Sequence, residues 1–110
     1  MDIFFKSNRL KRQCSDDRAA QKAFGTQRAK LIRRRLDDLF AAECLEDMRG
    51  LPGRLHELTG DQAGVLSLDL DGPYRLLFEA ATPGDPEPKA KADWSAVTCV
   101  KILGIEDTHG

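Results

Sequence analysis

The sequence predicts an α+β domain, with an N-terminal strand and a two-helix hairpin packed on one face of a mostly antiparallel sheet of four to five strands. Three observations predict it. Between residues 26 and 41 the apolar residues recur every three or four positions, the period of an amphipathic helix. From residue 54 the period changes to two, as in strands. The resulting order of one strand, two helices and four strands lets the helices cover only one sheet face. At 110 residues the chain has room for one domain, taken here as 1–110.

The elements follow in order. "DIFFK" (2–6) is short, apolar and aromatic and reads as the first strand. Ser7 or Asn8 caps a helix running to Phe24, whose sparse apolar stripe is Leu10, Cys14, Ala20, Ala23 and Phe24. Gly25 stops that helix and Thr26 caps the next. The second helix places Ala29, Ile32, Leu36, Leu39 and Phe40 on its core face, widened by Leu31, and Arg28, Arg33, Arg34 and Asp38 opposite. "LEDMRGLPG" (45–53) reads as a short helical turn closed by Gly50, Pro52 and Gly53. "RLHEL" (54–58) is a strand and "TGDQAG" (59–64) a loop. "VLSLDL" (65–70) alternates, with Leu66, Leu68 and Leu70 on one face and Ser67 and Asp69 on the other. Asp71-Gly72 is a hairpin turn, limited by Pro73, into the strand "YRLLFE" (74–79). Residues 81–93 hold three of the five prolines and read as a mobile excursion. "AVTCVKILGI" (96–105), apolar nearly throughout, is expected inside the sheet.

Composition bounds the function. No run approaches the roughly 18–20 apolar residues of a membrane span. The N-terminus lacks the basic start and apolar stretch of a signal peptide, so the expected location is the cytoplasm. Cys14, Cys44 and Cys99 are odd in number and far apart, which fits reduced thiols and no metal or disulfide spacing. The net charge of −1 hides an asymmetry. Residues 1–35 carry eleven Lys and Arg against three Asp and Glu, a net +8, and residues 36–110 carry six against fifteen, a net −9. Such a chain presents one face suited to a polyanion. Phosphate loops, dinucleotide fingerprints and nucleophile elbows are absent from the sequence.

The open sheet face holds the candidates for chemistry. Of the two histidines, His56 falls on a predicted strand and His109 follows the end of the final one. Two imidazoles that titrate near neutrality can act as base and acid about one phosphate, as metal-free RNA cleavage requires. A cation must steady the phosphorane between them, and Arg75, within a sheet strand beside Tyr74, is the candidate. The basic helices offer phosphate-seeking charge without base-reading specificity.

With these residues in place, the blocks "RLHELTGDQAG" (54–64), "DGPYRLLFE" (71–79) and "IEDTHG" (105–110) resemble the HigB-type toxins of the RelE/ParE superfamily. The resemblance covers nearly the whole chain. It implies a RelE-like fold and a toxin of a bacterial type II toxin–antitoxin system that cleaves mRNA, mostly on the ribosome, without metal or organic cofactor. It implies as partner a HigA-like helix-turn-helix antitoxin, with operator DNA met only through that complex and no membrane involved. His56, His109, Asp107 and Arg75 carry over as candidate catalytic or phosphate-binding residues; Arg28, Arg33 and Arg34 of the basic second helix, with Tyr74 and Thr108, are the candidate RNA contacts. Thr108 stands where the family has a tyrosine. Thr59 and Gln62 stand at two basic positions, which predicts a weaker grip on RNA. Two other readings stay open: a ParE-like gyrase inhibitor that cuts nothing, and a catalytically weak toxin that serves only as the antitoxin's partner in repression.

Overall fold

The structure is a computed structural model that describes residues 1–82, 85–88 and 93–107. Strand β1 (Asp2–Phe5) leads to helices α1 (Asn8–Ser15), α2 (Asp17–Phe24) and α3 (Thr26–Ala41). A 3-10 turn (Leu45–Gly50) precedes β2 (His56–Glu57), a second one (Gly60–Gln62) and β3 (Leu66–Asp69). Then come β4 (Tyr74–Thr82), β5 (Asp85–Pro88), a 3-10 turn (Trp94–Ala96) and β6 (Cys99–Asp107). The main sheet runs β1-β6-β4-β3-β2, with β5 paired to the far end of β4. Only the β1–β6 pair is parallel among the described residues. The expected α+β architecture is therefore the observed one, and the apolar final strand lies inside the sheet, between β1 and β4.

The helices depart from expectation at three places. The single helix over 8–24 is two, because Asp16 adopts an extended backbone and serves both. Its N–H closes α1 on the Arg12 carbonyl, and its carboxylate accepts from the Ala19 N–H at 3.0 Å to cap α2. The cap of α3 is Gly25, not Thr26. A φ of +84° turns the chain in one residue, so Thr26 already lies in the helix. Phe40 is 72% exposed, and Arg35 is buried in the face that Phe40 was expected to share. Arg35 lies three residues after Ile32 and four before Leu39, both fully buried, so the buried stripe is centred on 32, 35, 36 and 39. That phase rotates Phe40 off the sheet.

Between α3 and the sheet, Ile32, Leu36 and Leu39 meet Leu66, Leu68, Leu76, Phe78, Val100 and Ile102, with Leu45 and Met48 closing one end. The Met1 amine donates to the Leu39 and Phe40 carbonyls at the end of α3, groups a helix terminus leaves open. The strand expected over 54–58 shortens to His56–Glu57. The span 81–93, expected as an excursion, contains β5; residues 83, 84 and 89–92 lie outside the described residues. Among the described residues no helix is long and apolar enough to cross a membrane.

Candidate functional site

Strand alternation sorts the sheet's side chains. Leu66 and Leu68 pair with Phe78 and Leu76 on the helix-covered side. The opposite side receives His56, Ser67, Asp69, Arg75 and Leu77, because His56 is registered with Ser67, Ser67 with Leu77, and Asp69 with Arg75. Across β6 the partner of Arg75 is Glu106, and Asp107 lies opposite Tyr74. Asp107 is thus offset by one residue from the row that holds Arg75, and alternation turns it, with Tyr74, to the helix-covered side and away from His56.

The loop before β2 completes the site. Gly53 takes φ +111° and Arg54 φ +48°, two consecutive residues in a region that non-glycine residues rarely enter. This bend lets the Gly53 carbonyl accept from the Asp69 N–H at 2.6 Å. Beneath it, the buried Arg35 donates its Nε–H to the Asp69 carbonyl at 2.8 Å. With its backbone held on both sides, Asp69 presents its carboxylate to two arginines. Arg54 Nε donates to Oδ2 at 2.7 Å, and Arg75 donates to Oδ1. The side chains of Asp69 and Arg75 are each 25% exposed and that of Arg54 is 78% exposed, so the Arg75 pair is the sheltered one and the Arg54 pair is screened by water.

Arg54, Leu55, His56, Leu58 and Arg75 line one cleft of about 430 Å³. It brings an exposed imidazole and two guanidiniums to a common opening, with Asp69 behind them. Such a set can bind a phosphoryl group and exchange a proton beside it. Ser67 is fully buried beside His56 in the register, and its hydroxyl has no hydrogen-bond partner among the described residues.

The structure therefore brings His56 and Arg75 to one cleft. His109 and Thr108 lie outside the described residues. Sequence reasoning missed Arg54 and the holding role of Asp69. The signal for Arg54 was its place directly after the Pro-Gly turn; for Asp69 it was an acid on the polar face of an otherwise apolar strand.

The expected RNA contacts separate into two kinds. Arg28 donates to both carboxylate oxygens of Asp71 at 2.9 and 3.1 Å, and its guanidinium lies 3.4 Å from the centre of the Tyr74 ring. This pair joins α3 to the turn before β4. The Arg28 hydrogen bond holds the Asp71 carboxyl below its ordinary range, and Asp71 in turn raises Arg28. Arg33 is ion-paired with Asp17 of α2. Arg34 is exposed beside it.

A family model described as the RelE-like toxin of type II toxin–antitoxin system HigB matches residues 3–84. No curated protein matches the chain.

Proposed function

The chain belongs to the HigB family of RelE-like toxins of type II toxin–antitoxin systems, and on that premise we propose that it cuts messenger RNA at the cleft beside His56, on the translating ribosome in the cytoplasm. As a type II toxin it has an antitoxin as partner; in this reading the antitoxin is HigA-like and carries a helix-turn-helix domain.

The observation that supports the reading is the convergence of His56, Arg54 and Arg75 on one cleft of the helix-free sheet face. One of His56 and His109 takes the proton of a ribose 2′-hydroxyl. The 2′-oxygen attacks the adjacent phosphorus and closes a 2′,3′-cyclic phosphate as the bond to the 5′-oxygen breaks. The other histidine returns a proton to that oxygen. Arg75, with Arg54, offsets the charge that builds on the phosphorane, where donors already in place cost no reorganisation. Asp107 faces the other side of the sheet by its register with Tyr74, so the scheme gives it no part in the proton transfers. Every proton in this scheme moves between side chains and substrate, so the protein requires no organic cofactor.

Expression without the antitoxin should arrest growth with loss of mRNA. Added to translating ribosomes, the purified chain should cut the bound message, and His56→Ala should slow that cut by about 10²–10⁴, the usual contribution of a positioned acid or base. Unchanged rates in both His56→Ala and His109→Ala would overturn the assignment. So would arrested cells with broken DNA and intact mRNA.

A further inference from the structure

A second surface lies away from the cleft, on the paired helices α1 and α2. Arg9, Arg12, Arg18 and Lys22 line one groove of about 880 Å³, together with Gln13 and Asp16. All four cations are exposed. Their spacing is three residues in α1 and four in α2, which puts each pair on one helix face. A helix built only for stability alternates sign at these spacings, because like charges at i,i+4 repel. Arg18 and Lys22 are such a like-charge pair. The one acid in the groove, Asp16, caps α2 through the Ala19 N–H while its charge is felt by Arg12 and Arg18, so four cations stand against one carboxylate. This differs from α3, where Arg28 and Arg33 are matched by Asp71 and Asp17.

The lining also says what kind of polyanion fits. Arginine, lysine, glutamine, aspartate and alanine side chains line the groove, and no aromatic or large aliphatic one does. Protein partners are anchored by buried aromatic and aliphatic side chains. Nucleic-acid interfaces are polar, wet and positive. Without aromatic platforms the bases have nothing to stack on, so the groove suits the phosphate backbone and not the bases. We propose that the α1–α2 groove of Arg9, Arg12, Arg18 and Lys22 is a docking site for the RNA phosphate backbone, separate from the cleft at His56. The proposal rests on the ribonuclease reading for its choice of RNA. It assigns holding to the helices and chemistry to the sheet.

The test compares the full chain with a variant in which all four residues become glutamine (Arg9→Gln, Arg12→Gln, Arg18→Gln, Lys22→Gln). The probe is an RNA hairpin of mixed sequence, titrated between about 50 and 200 mM salt. At about 0.7–0.9 per phosphate contact, four contacts give a log–log slope near −3 and an affinity loss of roughly 50–150-fold over that range. The glutamine variant should lose about 3 from the slope and keep the same melting temperature, since all four side chains are exposed. Changing the hairpin's base sequence should leave the affinity unchanged. An unchanged slope in the variant overturns the proposal, as does failure of the unsubstituted chain to bind the hairpin, or tighter binding of polyglutamate than of RNA. Cleavage separates the two readings. If the hairpin binds through the groove but no cut in ribosome-bound mRNA depends on His56, the ribonuclease reading fails and the docking site stands. If cutting depends on His56 and the slope does not change, the docking site fails alone.

Discussion

Replacing Gly53 with alanine tests how the fold holds the cleft. At φ +111° any side chain is strained, at a cost of about 1–2 kcal/mol. A Cβ there would also lie 2.9 Å from Arg35 Nε, 3.1 Å from Arg35 Cδ and 3.3 Å from Leu68 Cδ2. Arg35 cannot give way without leaving the Asp69 carbonyl, and a lost hydrogen bond to a charged group costs about 1.5–3 kcal/mol. Together these predict a loss of about 2.5–5 kcal/mol, or roughly 10–20 °C in melting temperature at about 4 °C per kcal/mol. Gly60→Ala is the control. It has a positive φ of +71° with nothing within 4 Å of the new methyl, so it should show the backbone cost alone. The assay is thermal and urea unfolding followed by circular dichroism. In an Arg35→Ala background the extra cost of Gly53→Ala should shrink to the backbone value, a coupling that a double-mutant cycle reads directly. A Gly53→Ala chain as stable as Gly60→Ala would refute the idea that Arg35 and Gly53 fit against each other to fix Asp69.

Three further outcomes follow from the same structure. Phe40→Ser should change the urea-unfolding stability by no more than about 0.5 kcal/mol, whereas Leu39→Ala, one residue earlier and fully buried, should cost about 2–5 kcal/mol. Asp71 titrates below its unfolded value because Arg28 holds the carboxylate. Its stabilisation is therefore complete above the unfolded value near about 4 and is lost as pH falls through the folded value, so Asp71→Asn should flatten the acid limb of urea midpoints measured from about pH 2 to 6. Burial raises the Cys14 thiol to about 11, which leaves roughly one thiolate in ten thousand at pH 7; an aromatic disulfide reagent should label the half-buried Cys44 first and Cys14 only on unfolding.

Period and order made the architecture legible. The alternation of Leu66, Leu68 and Leu70 and the apolar run of the last strand both report burial directly, and both were read correctly. The helix details were not legible because each depends on a partner remote in sequence. Periodicity admits Phe40 to the core stripe, but it does not show that the Asp69 carbonyl, 34 residues after Arg35, draws a guanidinium inward and sets the helix phase. The break at Asp16 was masked in the same way. Asp-Asp in a charged stretch reads as helix surface until Asp16 is seen to end one helix and begin the next. In the site, His56 and Arg75 stood out by residue type. Arg54 reaches the cleft only because two successive residues take positive φ, a property of the folded loop.

Asp69 gives the site its character. A carboxylate between two arginines lowers the positive potential of the cleft, and it also holds both guanidiniums at the cleft wall before any substrate arrives. In the proposed function an RNA phosphate would therefore meet Arg54 and Arg75 while they remain shared with Asp69. Each contact is worth less than one to an unshared arginine, yet little of the binding is spent on ordering the side chains. In the proposed reaction that trade favours the transition state. The phosphorane carries more charge than the ground-state phosphate, so it gains more from donors already fixed in place. The attraction forgone in the cleft has to be supplied elsewhere. The exposed cations of α1 and α2, on a different part of the molecule, are where the chain has charge to spare.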